Sequence, residues 1–437
     1  MVRSGCIREI VLLVVLSIVA YLPALRLPFM ADDYQLIPMA RSAAALGWQP
    51  LLYNINQRTR ATYMFLSAAL DRSFGFQAAP FHLASILLHA LCVLMLYALG
   101  IWLPVGRSTA FWAACFFAIH EGHQEAVMWL AASNDLLVFL FGMGALVCWI
   151  KWLDSQRWAW YAASLASFLV AGLSKESFPV FVLLMLAITL FERRKRSLIP
   201  ALLGLLPFLA MTAGYVTFMW MTRVGRGANF DDRFVVSRAM WILVGANSIW
   251  RLLFPQGLLA IAALLWIRRR TDSVRIAFAG LWMVAGIFPH SFLTYMTHVA
   301  SRHTYLASAG LALLVGAALT RLAKRIPRLV FAAMCAAILL TNVEIIWVKK
   351  MSQFRERAEP TELLKMAARN AAGPITVECT PIPDLVVSSA LSGVGSSAVF
   401  PRPENHSEHC FAIEYTDRSC SVVRINRTIG RKHGAFY

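Results

Sequence analysis

Residues 81–103 read FHLASILLHALCVLMLYALGIWL, an apolar run without a single Asp, Glu, Lys or Arg. An α-helix of about twenty apolar residues is long enough to cross the hydrocarbon core of a bilayer. Similar runs recur along the chain, which has 437 residues, 59% of them hydrophobic, and a mean hydropathy of +0.61. A soluble domain averages roughly 45–50% apolar residues. The sequence therefore predicts an all-α polytopic membrane protein and excludes a soluble enzyme.

Eleven apolar segments are predicted to span the membrane within residues 1–347. They cover about residues 10–27, 81–103, 109–120, 134–152, 158–173, 177–191, 198–221, 254–267, 276–293, 304–320 and 329–347. The first lacks a clear small-x-small cleavage site, so we interpret it as a retained span and not as a signal peptide. Two further segments, 60–75 and 235–252, have helical apolar spacing but are predicted to lie at the membrane interface.

The formal net charge of +18 follows from this topology. Three strongly basic segments, FERRKRS (191–197), IRRRTDSVR (267–275) and TRLAKRIPR (320–328), come after even-numbered spans and therefore lie on one side. The positive-inside rule makes that side cytoplasmic. The long loop 28–80 and residues 348–437 then face outward. Topology explains the charge without a nucleic-acid partner.

Residues 348–437 differ in kind, because they lose the apolar blocks and gain Pro, Ser and charge. ITVEC (375–379), LVVSS (385–389) and CSVVRI (420–425) are typical of short strands between turns. We predict a small extracytoplasmic α+β domain. Its three cysteines, Cys379, Cys410 and Cys420, allow one disulfide and a free thiol, with the pairing left open.

Two adjacent carboxylates, Asp32 and Asp33, follow the first span in FMADDYQ (29–35). Like charges in contact raise one of the two pKa values, which suits a general acid or base. The alternative is that the pair caps the next helix or ends the span in solvent.

A second polar group lies in FFAIHEGHQEAVMWLAASNDLL (116–137), which contains His120, His123, Glu125 and Asp135. The spacing H-x-x-H-x-E could hold a divalent metal, or the side chains could bind a phosphate or substrate. We favour phosphate or substrate binding over a metal, and a hydrated loop is the alternative.

Further polar residues fall on the same predicted face. Lys175 and Glu176 lie in LSKES (173–177), and Arg302 and His303 lie in THVASRHTYLAS (297–308). Arg and Lys are suited to binding phosphate, although a self-paired turn and interface anchoring are the alternatives. His82 and Arg60 complete the set, which is what an anionic lipid-linked substrate would need.

The ordered motifs resemble the GT-C superfamily of membrane glycosyltransferases, and within it the transmembrane and tetratricopeptide-repeat O-mannosyltransferases and their bacterial relatives. The resemblance is carried by ADD (31–33), FHLASILLHAL (81–91), FAIHEGHQEAV (117–127), NDLL (134–137), LSKES (173–177) and SRHTYL (301–306). The sequence departs from the family pattern at Glu121, where Pro is usual, and at Ser133, where Arg is frequent. It also has no tetratricopeptide repeats, so the acceptor is not carried over.

The resemblance implies a GT-C-like transmembrane domain over 1–347 and a polyprenyl-phosphate-linked sugar as donor. It implies that Asp33 or Asp32 is the catalytic base of an inverting transfer to an acceptor hydroxyl; we slightly favour Asp33, which is deeper in the loop. The donor phosphate would be bound by Lys175, Arg302, His120 and His123. Supporting residues would be Glu125, Asp135, His82, Arg60, Glu176 and His303.

The expected partners are the donor lipid, an acceptor glycan, lipid or protein, and membrane lipids. No cofactor is firmly implied, and a divalent metal is left open. The expected location is the bacterial inner membrane, with the site facing the periplasm or exterior. A lipid-linked glycan transporter or flippase and a glycan polymerase or ligase are the alternative functions.

Overall fold

The computed structural model describes residues 4–53, 60–103, 105–192, 198–224, 238–267, 270–291, 298–371, 375–377, 384–399, 411–416 and 419–424. Helices dominate these residues. In chain order they are α1 (Ser4–Tyr21), α2 (Asp33–Ala45), α3 (Pro50–Tyr53), α4 (Ala61–Phe74), α5 (Ala78–Trp102), α6 (Arg107–Ile119), α7 (Gln124–Met128), α8 (Asn134–Ser155), α9 (Trp158–Gly172), α10 (Val180–Glu192), α11 (Leu198–Leu203), α12 (Leu206–Val224), α13 (Arg238–Leu253), α14 (Gln256–Trp266), α15 (Arg270–Ile287), α16 (Tyr305–Leu322), α17 (Arg328–Glu344), α18 (Met351–Ala371) and α19 (Asp384–Ser392).

Six helical stretches of the described chain are long and apolar enough to cross a membrane. They are Cys6–Arg26, Ala78–Trp102, Leu130–Ser155, Leu198–Met219, Ser301–Leu322 and Arg328–Asn370. Four shorter apolar helices accompany them, and α13 and α14 form a pair bent by 72°. The polytopic helical prediction is confirmed, while the count of eleven spans stays a prediction.

The two segments expected at the membrane interface have different outcomes. Residues 60–75 contain α4, as the apolar spacing predicted. Residues 238–252 of the second segment belong to α13, the first arm of the bent pair, and α14 is the predicted span that follows it. Residues 235–237 lie outside the described residues.

Helix α16 is the centre of the bundle, because every residue from Tyr305 to Leu319 is buried. Small residues let its neighbours approach closely. A Cβ atom on Gly316 would lie 2.5 Å from the carbonyl oxygen of Thr109 on α6, and one on Gly310 would lie 2.5 Å from the carbonyl oxygen of Ala279 on α15. Such backbone contact is a main source of helix association in lipid, where burial of apolar surface gives little advantage.

The alternating helix directions bring the predicted site residues to one end of the bundle. Arg302 lies just before α16, and Arg321 lies near the other end of this helix. Because α16 has 18 residues, its two ends are about 27 Å apart. The basic residues Arg107 and Lys151 belong to the far ends of α6 and α8, away from His120 and Asn134.

The last long helix continues well beyond the predicted domain boundary at 347–348. Helix α17 passes through a π-helical turn, Ile345–Lys350, into α18, so that Arg328–Asn370 form one continuous helical stretch. The indole N–H of Trp347 donates a hydrogen bond to the carbonyl oxygen of Ala20 at 3.0 Å, which ties the π turn to the end of α1.

Beyond α18, four short strands form a sheet in the order β2-β1-β3-β4. The strands are β1 (Ile375–Val377), β2 (Ala398–Val399), β3 (Phe411–Thr416) and β4 (Ser419–Arg424). β1 pairs parallel with β2 and antiparallel with β3, and β3 and β4 form an antiparallel hairpin in which Phe411 faces Arg424. Strands were expected near β1 and β4. A separate extracytoplasmic α+β domain stays a prediction, and Cys379 and Cys410 lie outside the described residues.

The strand expected at LVVSS is wrong, because these residues belong to α19. Val386, Val387, Ala390 and Leu391 are all buried, and this spacing of one and four residues fits one face of a helix. They pack with α2 and α18 in a cluster that contains Tyr34.

Substitution of Gly316 by Leu tests the close packing of α16. The added side chain has no space against the α6 backbone, so we expect a loss of roughly 1–3 kcal/mol or more in stability, measured as a lower Tm in detergent. Gly280→Leu is the matched control, because a Cβ atom there meets nothing within 4 Å. Equal Tm values for the two variants would contradict the packing described here.

Candidate functional site

Asp32 is partly exposed at the first turn of α2. It occupies the N-cap position, yet its side chain makes no capping hydrogen bond, so its carboxylate is free for other roles. Burial raises the pKa of Asp32 above its ordinary range, and the positive charges of Arg60 and Arg302 oppose this rise. The Asp32 carboxylate at this end of the bundle therefore lies in the electrostatic field of two guanidinium groups.

Asp33 has a different environment, because its side chain is 0% exposed. One carboxylate oxygen accepts the N–H of Ala131 at 2.8 Å, and the other accepts the N–H of Met30 at 3.1 Å. Burial raises the pKa of Asp33 to about 8, against the two backbone hydrogen bonds, which lower it. These bonds fasten the start of α2 to the 3-10 turn Leu130–Ala132 that precedes α8.

Lys175 lies in the turn between α9 and α10 and is buried. Its Nζ atom is 2.6 Å from both carboxylate oxygens of Asp135 and 3.3 Å from Nδ1 of His303. The ring of His303 stacks on that of His290, with 4.1 Å between the centroids. Burial lowers the pKa of Lys175, and Asp135 opposes this effect. The predicted phosphate ligand is therefore already paired with a carboxylate.

Glu176 has an exposed side chain, unlike its neighbour Lys175. Burial of the surrounding turn acts to raise the pKa of Glu176, but Lys175 and Arg60 together hold it below its ordinary range. Thr62 on α4 donates a hydrogen bond to the Ser174 hydroxyl at 2.9 Å. This bond connects the first long loop to the turn that carries Lys175 and Glu176.

Glu125 organises the basic side of the site. One of its oxygens accepts the backbone N–H of Arg302 at 3.1 Å and lies 3.6 Å from the Arg302 Nη1 atom. The other oxygen is 3.4 Å from Nη1 of Arg357. Burial acts to raise the pKa of Glu125, but the two arginines hold it below its ordinary range. The Arg302 guanidinium also lies 5.1 Å from the centroid of the Trp129 ring.

The two histidines predicted to bind phosphate, His120 and His123, are buried inside the bundle. His123 is 0% exposed, its Nε2 atom is 2.6 Å from the Ser308 hydroxyl, and its ring packs against Phe117 and Tyr305. His120 packs against Phe116, and the Tyr21 hydroxyl donates a hydrogen bond to its carbonyl oxygen at 2.7 Å. Both positions fit roles in helix packing.

The H-x-x-H-x-E spacing does not gather its three side chains. His123 points to Ser308, whereas Glu125 points to the arginines. Within the described part of the chain, no group of three His, Cys, Asp or Glu side chains is arranged for a metal ion. His82, predicted as a supporting residue, is fully buried on α5.

The sequence analysis missed His290 and Arg357. His290 belongs to a 3-10 turn at the end of α15, inside a segment treated as an apolar span. Arg357 is on α18, which was assigned to the tail because the hydropathy falls after Trp347. Helical spacing of apolar residues at Phe354, Ala358 and Leu364, all buried, was the available signal.

The comparisons with known proteins support one fold. No protein-family model matches the chain. ArnT from Cupriavidus metallidurans, solved with bound undecaprenyl phosphate, matches at a TM-score of 0.52 and 15% identity over 92% of this chain and 87% of ArnT. The Archaeoglobus fulgidus oligosaccharyltransferase, solved with a tethered acceptor peptide, matches at 0.51 and 12% identity over 84% of this chain and 57% of that chain. The chain has the GT-C fold. With its apolar helices, this fold makes it an integral membrane protein.

A sequence match to a known protein covers a minority of each chain. A protein O-mannosyl-transferase of Caenorhabditis elegans is 28% identical over 166 residues, which is 34% of this chain. The chain spans about a quarter of the length of that relative, since the match covers 24% of it. The local match is consistent with the resemblance drawn from the ordered motifs.

Substitution of Asp33 by Asn tests its anchoring role. Asn has a single acceptor oxygen, so its amide nitrogen must face the N–H of Met30 or Ala131. An unsatisfied buried donor costs roughly 1–3 kcal/mol, and we expect a clearly lower Tm in detergent. Asp154→Asn in the last turn of α8, at the opposite end of the bundle, is the control. A Tm equal to that of the wild-type protein would show that the two hydrogen bonds are dispensable.

Proposed function

We propose that the protein is a glycosyltransferase that moves a sugar from a polyprenyl-phosphate-linked donor to an acceptor hydroxyl. The observation that carries this proposal is the partly exposed carboxylate of Asp32, in the field of Arg60 and Arg302, at the end of a GT-C bundle. The shared fold with ArnT, which was solved with undecaprenyl phosphate, supports a lipid-linked donor.

In this proposal Asp32 is the general base. It removes the proton from the acceptor hydroxyl as that oxygen attacks the anomeric carbon of the sugar. The bond between the anomeric carbon and the donor phosphate oxygen breaks on the opposite side, so the configuration inverts. The proton stays on Asp32 and then passes to solvent. A raised pKa makes the carboxylate a stronger base than an ordinary aspartate.

The departing polyprenyl phosphate carries the negative charge away. Arg60 and Arg302 are the cations whose charges act on Asp32, and Lys175, paired with Asp135, lies in the same region. Fixed cations that face developing charge lower the barrier without rearrangement. A phosphate leaves as a stable anion, so the proposal requires no separate catalytic acid.

The choice of Asp32 revises the slight preference for Asp33 drawn from the sequence. Asp33 is fully buried, and each of its oxygens already accepts a backbone N–H. An acceptor hydroxyl could not reach it unless the residues that bury Asp33 rearranged. Asp32 has an accessible carboxylate without a capping bond, which favours it as the base.

A groove of about 220 Å³ offers a place for the prenyl chain of the donor. Its lining residues come from α9, from the turn between α9 and α10, and from α12. They are Phe168, Leu169, Gly172, Leu173, Phe178, Met211, Gly214, Tyr215 and Phe218. The groove ends beside the turn of Lys175, where the N–H of Phe178 donates to the Lys175 carbonyl oxygen at 3.3 Å. An apolar groove that leads to a cationic turn suits a lipid phosphate.

We propose that the site faces the periplasm or exterior of a bacterial inner membrane. The basic residues Arg107, Lys151 and Arg321 lie at the opposite end of the bundle from Asp32, and the positive-inside rule assigns that end to the cytoplasm. A flippase is the second candidate, but it would need a polar path through the bilayer. Among the buried residues Leu306–Leu319 of α16, Ser308 is the polar one, which favours transfer at one face over transport.

Asp32→Asn is expected to abolish sugar transfer while the protein stays folded, because an amide cannot accept the acceptor proton. Transfer is measured with membranes and a panel of radiolabelled polyprenyl-phosphate sugars. The wild-type rate should fall on acidification with a midpoint above about 4, the ordinary pKa of Asp. Asp154→Asn is the matched control. Wild-type activity in Asp32→Asn would disprove the assignment of the base.

Gly214→Leu tests the prenyl groove. A Cβ atom on Gly214 meets nothing within 4 Å, so a Leu side chain would extend into the groove without disturbing the bundle. We expect KM for a long-chain donor to rise at least several-fold, while KM for a short-chain, water-soluble analogue changes little. Gly280→Leu, equally unobstructed on α15, should change neither value. A parallel rise for both donors would argue against a chain-binding groove.

A further inference from the structure

Helix α18 contacts both the basic and the acidic side of the candidate site. It emerges from the π turn Ile345–Lys350, which is anchored at Trp347 to the end of α1 and at Lys350 to Glu121 over 3.4 Å. The carbonyl oxygen of the Asn342 side chain accepts the N–H of Glu121 at 3.1 Å. The root of α18 is thus fixed to the bundle before the helix reaches the site.

The first contact is with Glu125 through Arg357. Glu125 is 3% exposed and divides its two oxygens between Arg302 and Arg357. Without Arg357, this buried carboxylate would lose one of its two arginine partners, and a buried carboxylate with too few partners is costly. The carboxylate would then turn from the Arg302 backbone N–H toward the Arg302 guanidinium, so that the backbone hydrogen bond weakens and Glu125 competes with a phosphate for the guanidinium.

The second contact is with Tyr34 on α2, two residues after Asp32. The Tyr34 hydroxyl donates to Glu362 at 2.8 Å and accepts from Nζ of Lys365 at 3.2 Å. Lys365 and Glu362 also pair at 2.8 Å. Tyr34 is 1% exposed, while Glu362 and Lys365 are partly exposed, so the junction between α2 and α18 is part-buried. One helix, α18, therefore contacts α2, whose first turn follows Asp32, and, through Glu125, the basic residue Arg302.

We propose that α18 is a clamp that sets the separation of Asp32 and Arg302, and that Arg357 is the positioning residue that keeps Arg302 available to the donor phosphate. This inference rests on the proposed function. Arg357 acts through Glu125 and does not itself take part in the chemistry. The chain thus uses the continuation of a membrane span to assemble the two halves of its site.

The test compares Arg357→Ala, Arg357→Lys and the control Arg355→Ala, an exposed arginine on the same helix. Binding of undecaprenyl phosphate to purified protein in nanodiscs and donor KM are measured together with kcat. We expect Arg357→Ala to weaken binding and raise KM about tenfold, with a smaller change in kcat, because Glu125 would then compete with the donor phosphate for Arg302. Arg357→Lys should restore most of the affinity, and Arg355→Ala should match the wild-type protein.

Hydrogen exchange of the turn Ser301–Thr304 gives a readout that needs no donor. Exchange should rise in Arg357→Ala and not in Arg355→Ala. Unchanged exchange and unchanged affinity in Arg357→Ala would overturn the clamp. If wild-type protein binds no undecaprenyl phosphate but exchange still rises in Arg357→Ala, the clamp on Arg302 stands and the proposed donor is wrong.

Discussion

The buried carboxylate of Asp33 is the junction on which the site depends. It accepts backbone N–H groups from Met30, just before α2, and from Ala131, in the turn before α8. These two donors are 101 positions apart in sequence, and no apolar contact could fix their relative orientation as closely. With the start of α2 held in this way, Asp32 lies in the electrostatic field of Arg60 and Arg302. Tyr34, on the same helix, contacts α18.

The second constraint is that charges at the end of a membrane bundle must be paired. Lys175 is held by Asp135, and Arg302 and Arg357 share Glu125. A buried unpaired charge would cost several kcal/mol, so these pairs form a fixed electrostatic frame in the absence of substrate. Such a frame suits a reaction in which charge moves onto a phosphate, because the cations do not need to reorganise.

The sequence predicted the architecture through two simple rules. Hydropathy located the apolar helices, and the parity of basic loops placed Asp32, Lys175 and Arg302 at one end before any contact was known. It could not separate Asp32 from Asp33, because the direction of the Asp33 side chain is set in part by a hydrogen bond from a turn about a hundred residues away. Nor could it show that His123 is 2.6 Å from the Ser308 hydroxyl and packs against Tyr305 of α16, so phosphate binding by the histidine motif stays a prediction.

The continuation of the last span beyond Trp347 was hidden by a different effect. A fall in hydropathy does not mark where a helix ends, so the sequence assigns residues 348–371 to the tail, although α18 continues the helical stretch of α17. The position of the donor phosphate is tested most directly by an electron cryo-microscopy structure of the protein in nanodiscs with undecaprenyl phosphate. We expect phosphate density between Arg60 and Arg302, next to Asp32, with the prenyl chain along α9 and α12. Phosphate density at the opposite end of the bundle, or beside His120 and Lys350, would contradict the proposed site.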